Sequence, residues 1–127
     1  MADLLAETLN IIKVHRRAGK DECKVPASKL IGDVLKLLQR EGYLKGFEFV
    51  KDSKGGFYTV NGLGPINDCA VVNPRFAIKQ TQIADVEEQY LPSKDFGIVI
   101  ISTPKGLVTN KEIRELKSGG RLIAYVY

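Results

Sequence analysis

The sequence is poor in the residues from which active sites are most often built. Its 127 residues include one histidine, His15, no tryptophan, and two cysteines, Cys23 and Cys69. Two cysteines without C-x-x-C spacing make neither a disulfide framework nor a zinc knuckle, so free thiols in a reducing compartment are expected. His15 stands among arginines and has no sequence neighbour that would make it a general base. No G-x-S-x-G elbow is present. "GLG" at Gly62 to Gly64 runs into Pro65 and fits neither a dinucleotide fingerprint nor a phosphate loop. Glu87 and Glu88 are adjacent, and helix neighbours do not face one another. Long apolar runs are missing too. The cleanest, Ile98 to Ile101, is strand-sized, far below the ~18 residues of a membrane span. In "MADLLAETLNIIKVHRR" the charges follow the apolar stretch, the reverse of a secretory signal. The expectation is a non-catalytic chain, without metal, cofactor or membrane partner.

What is present is an ordinary globular composition, 44% apolar and 27% charged. The net charge of +4 is modest, so its distribution carries the information. Six basic residues between Lys13 and Lys29 face only Asp21 and Glu22, and five between Ser102 and Arg121 face Glu112 and Glu115. Acids gather elsewhere, at Asp85, Glu87 and Glu88. Clusters of positive charge fit an anionic partner and equally fit solvated faces.

Leu5, Leu9 and Ile12 fall at helical spacing, with Thr8 beside them and Lys13, Arg16 and Arg17 in the last turn. A second helix follows Pro26, with Ser28 as N-cap, an apolar stripe through Leu30, Ile31, Val34, Leu35 and Leu38, and Gly42 as its stop. "LKGFEFVKD" alternates, with Phe47 and Phe49 inward, and "SKGG" turns into the strand "FYTV". "NGLGPIND" breaks the pattern and is the best boundary between halves. Beyond it, "CAVVN" and "RFAIK" flank Pro74, a short helix fits "TQIADVEEQYLP", and "FGIVII" reads as a core strand. Thr109 and Glu112 have capping-box spacing for another short helix. Gly119 and Gly120 then lead into an apolar final strand, with Tyr125 and Tyr127 on one side of it by period 2. Packing is the expected role of those two tyrosines. The chain reads as α+β in two small α/β halves, 1–64 as α-β-α-β-β and 65–127 as mostly β with a short helix.

"STPKG" admits two readings. Small residues leaving a buried strand for a turn is one. The other is a phosphate or ribose site: hydroxyls from Ser102 and Thr103, a mobile charge on Lys105, close backbone approach at Gly106, and free N–H groups at the helix start by Thr109. Structured RNA is read largely through shape, phosphate and 2′-hydroxyl contacts, which suits that set.

"PASKLIGDVLKLLQREGYL", "FEF", "NPRF", "LPSKDFGIVIISTPKGLVTNKE" and "GGRLIAYVY" together resemble the small-subunit ribosomal protein S-eight family in its archaeal form. The resemblance runs in order from "DLLAETL" to Tyr127; "PRF" and the final tyrosine favour the archaeal side. It implies a cytoplasmic protein of the small ribosomal subunit that binds the central domain of small-subunit rRNA directly, chiefly through its C-terminal half, and supports assembly. Neighbouring small-subunit ribosomal proteins are implied as further partners, and the free chain is expected to be a monomer. Carried over residue by residue, Ser102, Thr103, Lys105 and Gly106 would lie against the RNA, with Gly119 and Gly120 supporting close approach. Ser28 and Lys29 match the family's "SKL" and would touch RNA, unless Ser28 serves only as the cap. Arg16 and Arg17 would add phosphate contacts. Pro104 stands where the family usually has a third hydroxyl, and "KVHRR" where many relatives carry an asparagine. The competing functions are a basic protein-interaction module with only non-specific RNA affinity, and a small phosphate-ligand enzyme using the helix start at Thr109.

Overall fold

The computed structural model describes residues 4–93, 96–116 and 119–127, for the backbone only at 73 and 74. The chain forms two compact units, 1–67 and 68–127. In the first, helix α1 (Leu4–Arg17), strand β1 (Glu22–Pro26), helix α2 (Lys29–Arg40) and strands β2 (Gly46–Val50) and β3 (Phe57–Asn61) follow one another. The sheet is antiparallel in the order β1-β3-β2. The periodic apolar positions are the buried ones: Leu5, Leu9 and Ile12 of α1, and Ile31, Val34, Leu35 and Leu38 of α2, with Val25 and Val60 from the sheet. Each fully buried aliphatic side chain contributes roughly 1.5–3 kcal/mol, which explains why propensity alone need not hold these short helices. Buried Thr8 is tolerated because its hydroxyl donates to the Leu4 carbonyl at 2.8 Å. At the end of α2 the N–H groups of Gly42 and Tyr43 return to Gln39 and Leu38, at 3.2 and 2.9 Å, closing the helix where the sequence places its stop.

One expectation in this unit fails. Phe49 is 54% exposed rather than inward. It sits on an edge strand, opposite Tyr58, and rests edge-on against that ring at 5.8 Å with no strand beyond it. Alternation gives the face of a residue but not whether another element covers that face.

The second unit runs β4 (Cys69–Ile78), a short 3-10 turn, α3 (Ile83–Tyr90), β5 (Ile98–Thr103), β6 (Gly106–Thr109), α4 (Asn110–Leu116) and β7 (Gly120–Val126). Its antiparallel sheet has the order β4-β7-β5-β6. "CAVVN" and "RFAIK" are one strand, not two. Register shifts between Val71 and Phe76, where Pro74 lies, and β4 is an edge strand. Proline has no N–H for a ladder, so an irregular edge is where it fits. Val99, Ile101, Val108 and Leu122 form one core cluster with Ile83, Val86 and Ile113 of the helices. A buried polar cluster pins those helices to β5. The Val99 N–H donates to Asn110 Oδ1 at 3.1 Å, Asn110 Nδ2 donates to Glu87 Oε2, and Arg114 pairs with Glu87 Oε1.

Candidate nucleic-acid interface

"STPKG" is a tight hairpin. Thr103 and Gly106 pair across β5 and β6, leaving Pro104 and Lys105 as the loop. Pro104 takes the second turn position, where its fixed φ is an advantage, and Gly106 closes the turn at φ 116°, a conformation that other residues adopt only with strain. The Thr103 hydroxyl donates to the Gly106 carbonyl at 2.8 Å and accepts from the Lys105 N–H at 3.2 Å. The Thr103 hydroxyl therefore helps to shape the turn. Ser102 is its neighbour on the other face of the strand, half-buried, with no side-chain hydrogen bond among the described residues. The two hydroxyls leave the strand on opposite faces.

Register adds a residue that the sequence pattern missed. Ser102 lies directly opposite Leu107 on one side and Arg121 of β7 on the other, and Arg121 in turn faces Ala77 of β4. Opposed residues in an antiparallel sheet share a face. The exposed Arg121 thus stands beside the Ser102 hydroxyl, and Lys105 projects from the turn just beyond. Only strand pairing reveals this; in sequence nineteen positions separate Ser102 from Arg121.

Gly119 and Gly120 have an internal reason to be glycine. A Cβ on Gly120 would stand 2.6 Å from Ile101 Cγ2 and 2.7 Å from the Ser102 carbonyl oxygen; one on Gly119 would stand 2.5 Å from the Ile78 oxygen. The close approach is of β7 to β5 and β4, and it sets the backbone of Ser102. The start of α4 does not belong to the site. Thr109 N–H donates to the Glu112 carboxylate at 3.2 Å and Glu112 N–H to Thr109 Oγ1 at 3.3 Å, so the capping box occupies donors that an anion would need. Lys117 of the C-terminal basic cluster lies outside the described residues.

The remaining candidates belong to the first unit. Ser28 is the N-cap of α2, its Oγ accepting from Ile31 N–H at 3.1 Å, and Lys29 follows exposed at the first helical position. Arg16 is half-buried and its Nε–H donates to the Gly64 carbonyl at 2.8 Å; Arg17 is exposed.

A family model for ribosomal protein S8 matches residues 3–127. The chain belongs to that family. The small ribosomal subunit protein uS8 of Methanococcoides burtonii is 47% identical over 128 residues, covering 100% of this chain and 98% of the relative.

In this family member the other polar features have local explanations. His15 Nδ1 bonds the Ile11 carbonyl at 2.8 Å, a bond internal to α1. A cleft of about 390 Å³ is lined by His15, Lys20, Glu22, Cys23, Lys24 and Thr59, and burial pushes the Cys23 thiol up to about 11, which keeps it an unreactive thiol at neutral pH. Among the described residues no cluster of His, Cys, Asp or Glu is suited to a metal ion, and no helix is long and apolar enough to cross a membrane.

Proposed function

We propose that the chain is a structural, non-enzymatic protein of the small ribosomal subunit, in the cytoplasm, that binds the central domain of small-subunit rRNA directly and supports its assembly beside neighbouring ribosomal proteins. The observation that carries the reading is the Ser102–Arg121 row: an unpartnered hydroxyl and a guanidinium side by side on a stiff sheet, with Lys105 on the adjoining turn. Hydroxyl and cation fit sugar and phosphate of a structured RNA, and fixing them in advance limits the ordering cost of binding. Thr103, Gly106, Gly119 and Gly120 serve this reading as supports of the row. In the first unit, Lys29, Arg16 and Arg17 would add phosphate contacts of their own, with Ser28 acting by setting the helix start that carries Lys29.

Filter binding to intact small-subunit rRNA and to scrambled RNA, at two salt concentrations, tests it. Cognate preference is expected to survive the higher salt. Ser102→Ala should cost about 1–2 kcal/mol on cognate RNA, a factor of roughly 5 to 30, and leave scrambled RNA nearly unaffected. Equal affinity for both RNAs would instead support the basic protein-interaction module.

The two arginines separate by the same assay. Arg17→Gln should weaken all RNA uniformly and flatten the salt slope by about 0.7–0.9, the share of one lost phosphate contact. Arg16→Gln should also lower thermal stability, by about 0.5–1.5 kcal/mol, because the Gly64 carbonyl loses its donor. Identical melting curves for the two variants would contradict that division.

A further inference from the structure

Strand β7 has two ends of opposite character. Its start borders the cationic row, whereas Tyr125 lies about 13 Å further along and Tyr127 just past the strand. Tyr125 stacks on Tyr90 of α3 with ring centres 5.5 Å apart and planes 29° apart, and on Tyr127 at 6.0 Å and 15°. Phe96 leans on Tyr127 at 6.4 Å and is 48% exposed. The row is held rigidly. Asp68 and Tyr127 exchange backbone hydrogen bonds of 2.9 Å in both directions, and Gly97 passes so close that a Cβ there would meet Tyr127 Cβ at 2.5 Å.

Helix α3, which supplies Tyr90, carries the exposed carboxylates Asp85 and Glu88 and no basic residue. Burial first, and then the Asp68 carboxylate, hold the Tyr125 phenol above its usual range. A bridge between Ser93 and Phe96 joins the row to a cleft of about 410 Å³ that includes Glu88, Leu91 and Pro92. The cleft's one described cation, Arg114, is paired with Glu87. Aromatic faces attract cations, and arginine in particular combines that attraction with planar stacking. Phosphate is repelled by the same surroundings.

We propose that the Tyr90–Tyr125–Tyr127–Phe96 row and the adjoining cleft dock an arginine-bearing segment of a partner protein, leaving the other end of β7 to RNA. This goes beyond the rRNA reading and does not depend on it.

The test uses the full chain and three probes: a short peptide alternating arginine and glycine, its glutamate counterpart, and oligouridine. Ring-proton spectra of the four aromatics are expected to shift with the arginine peptide alone at millimolar concentration. Phe96→Ala and Tyr127→Ala should each weaken that binding about 3-fold to 10-fold while cognate rRNA affinity stays unchanged. Phe96→Leu, which keeps an exposed apolar contact and the fold, should weaken it similarly. Ring shifts with oligouridine in place of the arginine peptide, equal shifts with both peptides, or none with any probe would overturn the proposal. Loss of rRNA binding with retention of the arginine response would overturn only the rRNA reading.

Discussion

Asn110→Ala should lower the stability of the second unit by about 3–5 kcal/mol, measured by denaturant unfolding at neutral pH. Asn110 is 0% and Glu87 2% exposed, so water is excluded from the groups that the mutation strands. The amide performs two tasks. Its oxygen satisfies the Val99 N–H of a strand buried on both faces, and its NH₂ supports the Glu87 carboxylate. Truncation leaves a buried backbone donor unsatisfied, at about 1–3 kcal/mol, and a carboxylate supported by Arg114 alone, a residue whose side chain is itself 44% exposed. Arg114→Ala should therefore cost less than Asn110→Ala, and Glu87→Gln less again, since an amide oxygen still accepts from Asn110. A loss below about 1 kcal/mol for Asn110→Ala would show that water enters the cluster. Because this cluster ties α3 and α4 to β5, the strand that ends in Ser102, its loosening should also weaken RNA binding on the proposed function.

Much of this architecture was legible in the sequence because it depends on local physics. Leu5, Leu9 and Ile12, the stripe of α2, the Ser28 cap and the Thr109–Glu112 capping box are all written at fixed spacings, and the structure has them. What the sequence withheld depends on pairing between distant segments. Phe49 alternates correctly yet stays exposed, because its strand is an edge. Pro74 interrupts the strand pattern in sequence, and the register shift that accommodates it is invisible without the partner strand. Ser102 and Thr103 are adjacent hydroxyls in sequence, yet period 2 sends them to opposite faces and the Thr103 hydroxyl bonds within the turn. In sequence Arg121 is only one member of the C-terminal basic cluster; it becomes Ser102's neighbour through the β5–β7 register. Likewise Glu87 is in sequence one of two adjacent acids, and only the arrival of Asn110 and Arg114 from α4 explains its burial.

Gly120→Ala is expected to reduce cognate rRNA affinity by about 10-fold to 100-fold although no atom of residue 120 need touch RNA. An added methyl there meets Ile101 Cγ2 at 2.6 Å and the Ser102 carbonyl oxygen at 2.7 Å, with Thr103 Cγ2 at 3.1 Å behind them. The Ile101 side chain is fully buried and Ser102 is backbone, so neither can swing aside; β5 and β7 must separate locally. Overpacking of this kind costs about 1–3 kcal/mol in stability. The same displacement moves the Ser102 hydroxyl relative to Arg121, and prearranged contacts lose much of their value when shifted by a fraction of an ångström. The comparison with Gly106→Ala isolates the cause. Gly106 has open space where a Cβ would go, so its substitution strains only the turn at φ 116° and should displace Lys105 more than Ser102. Gly120→Ala should therefore abolish the preference for cognate over scrambled RNA, whereas Gly106→Ala should lower affinity for both. Unchanged discrimination in Gly120→Ala, with the expected loss of stability confirmed, would remove the Ser102–Arg121 row from the recognition surface.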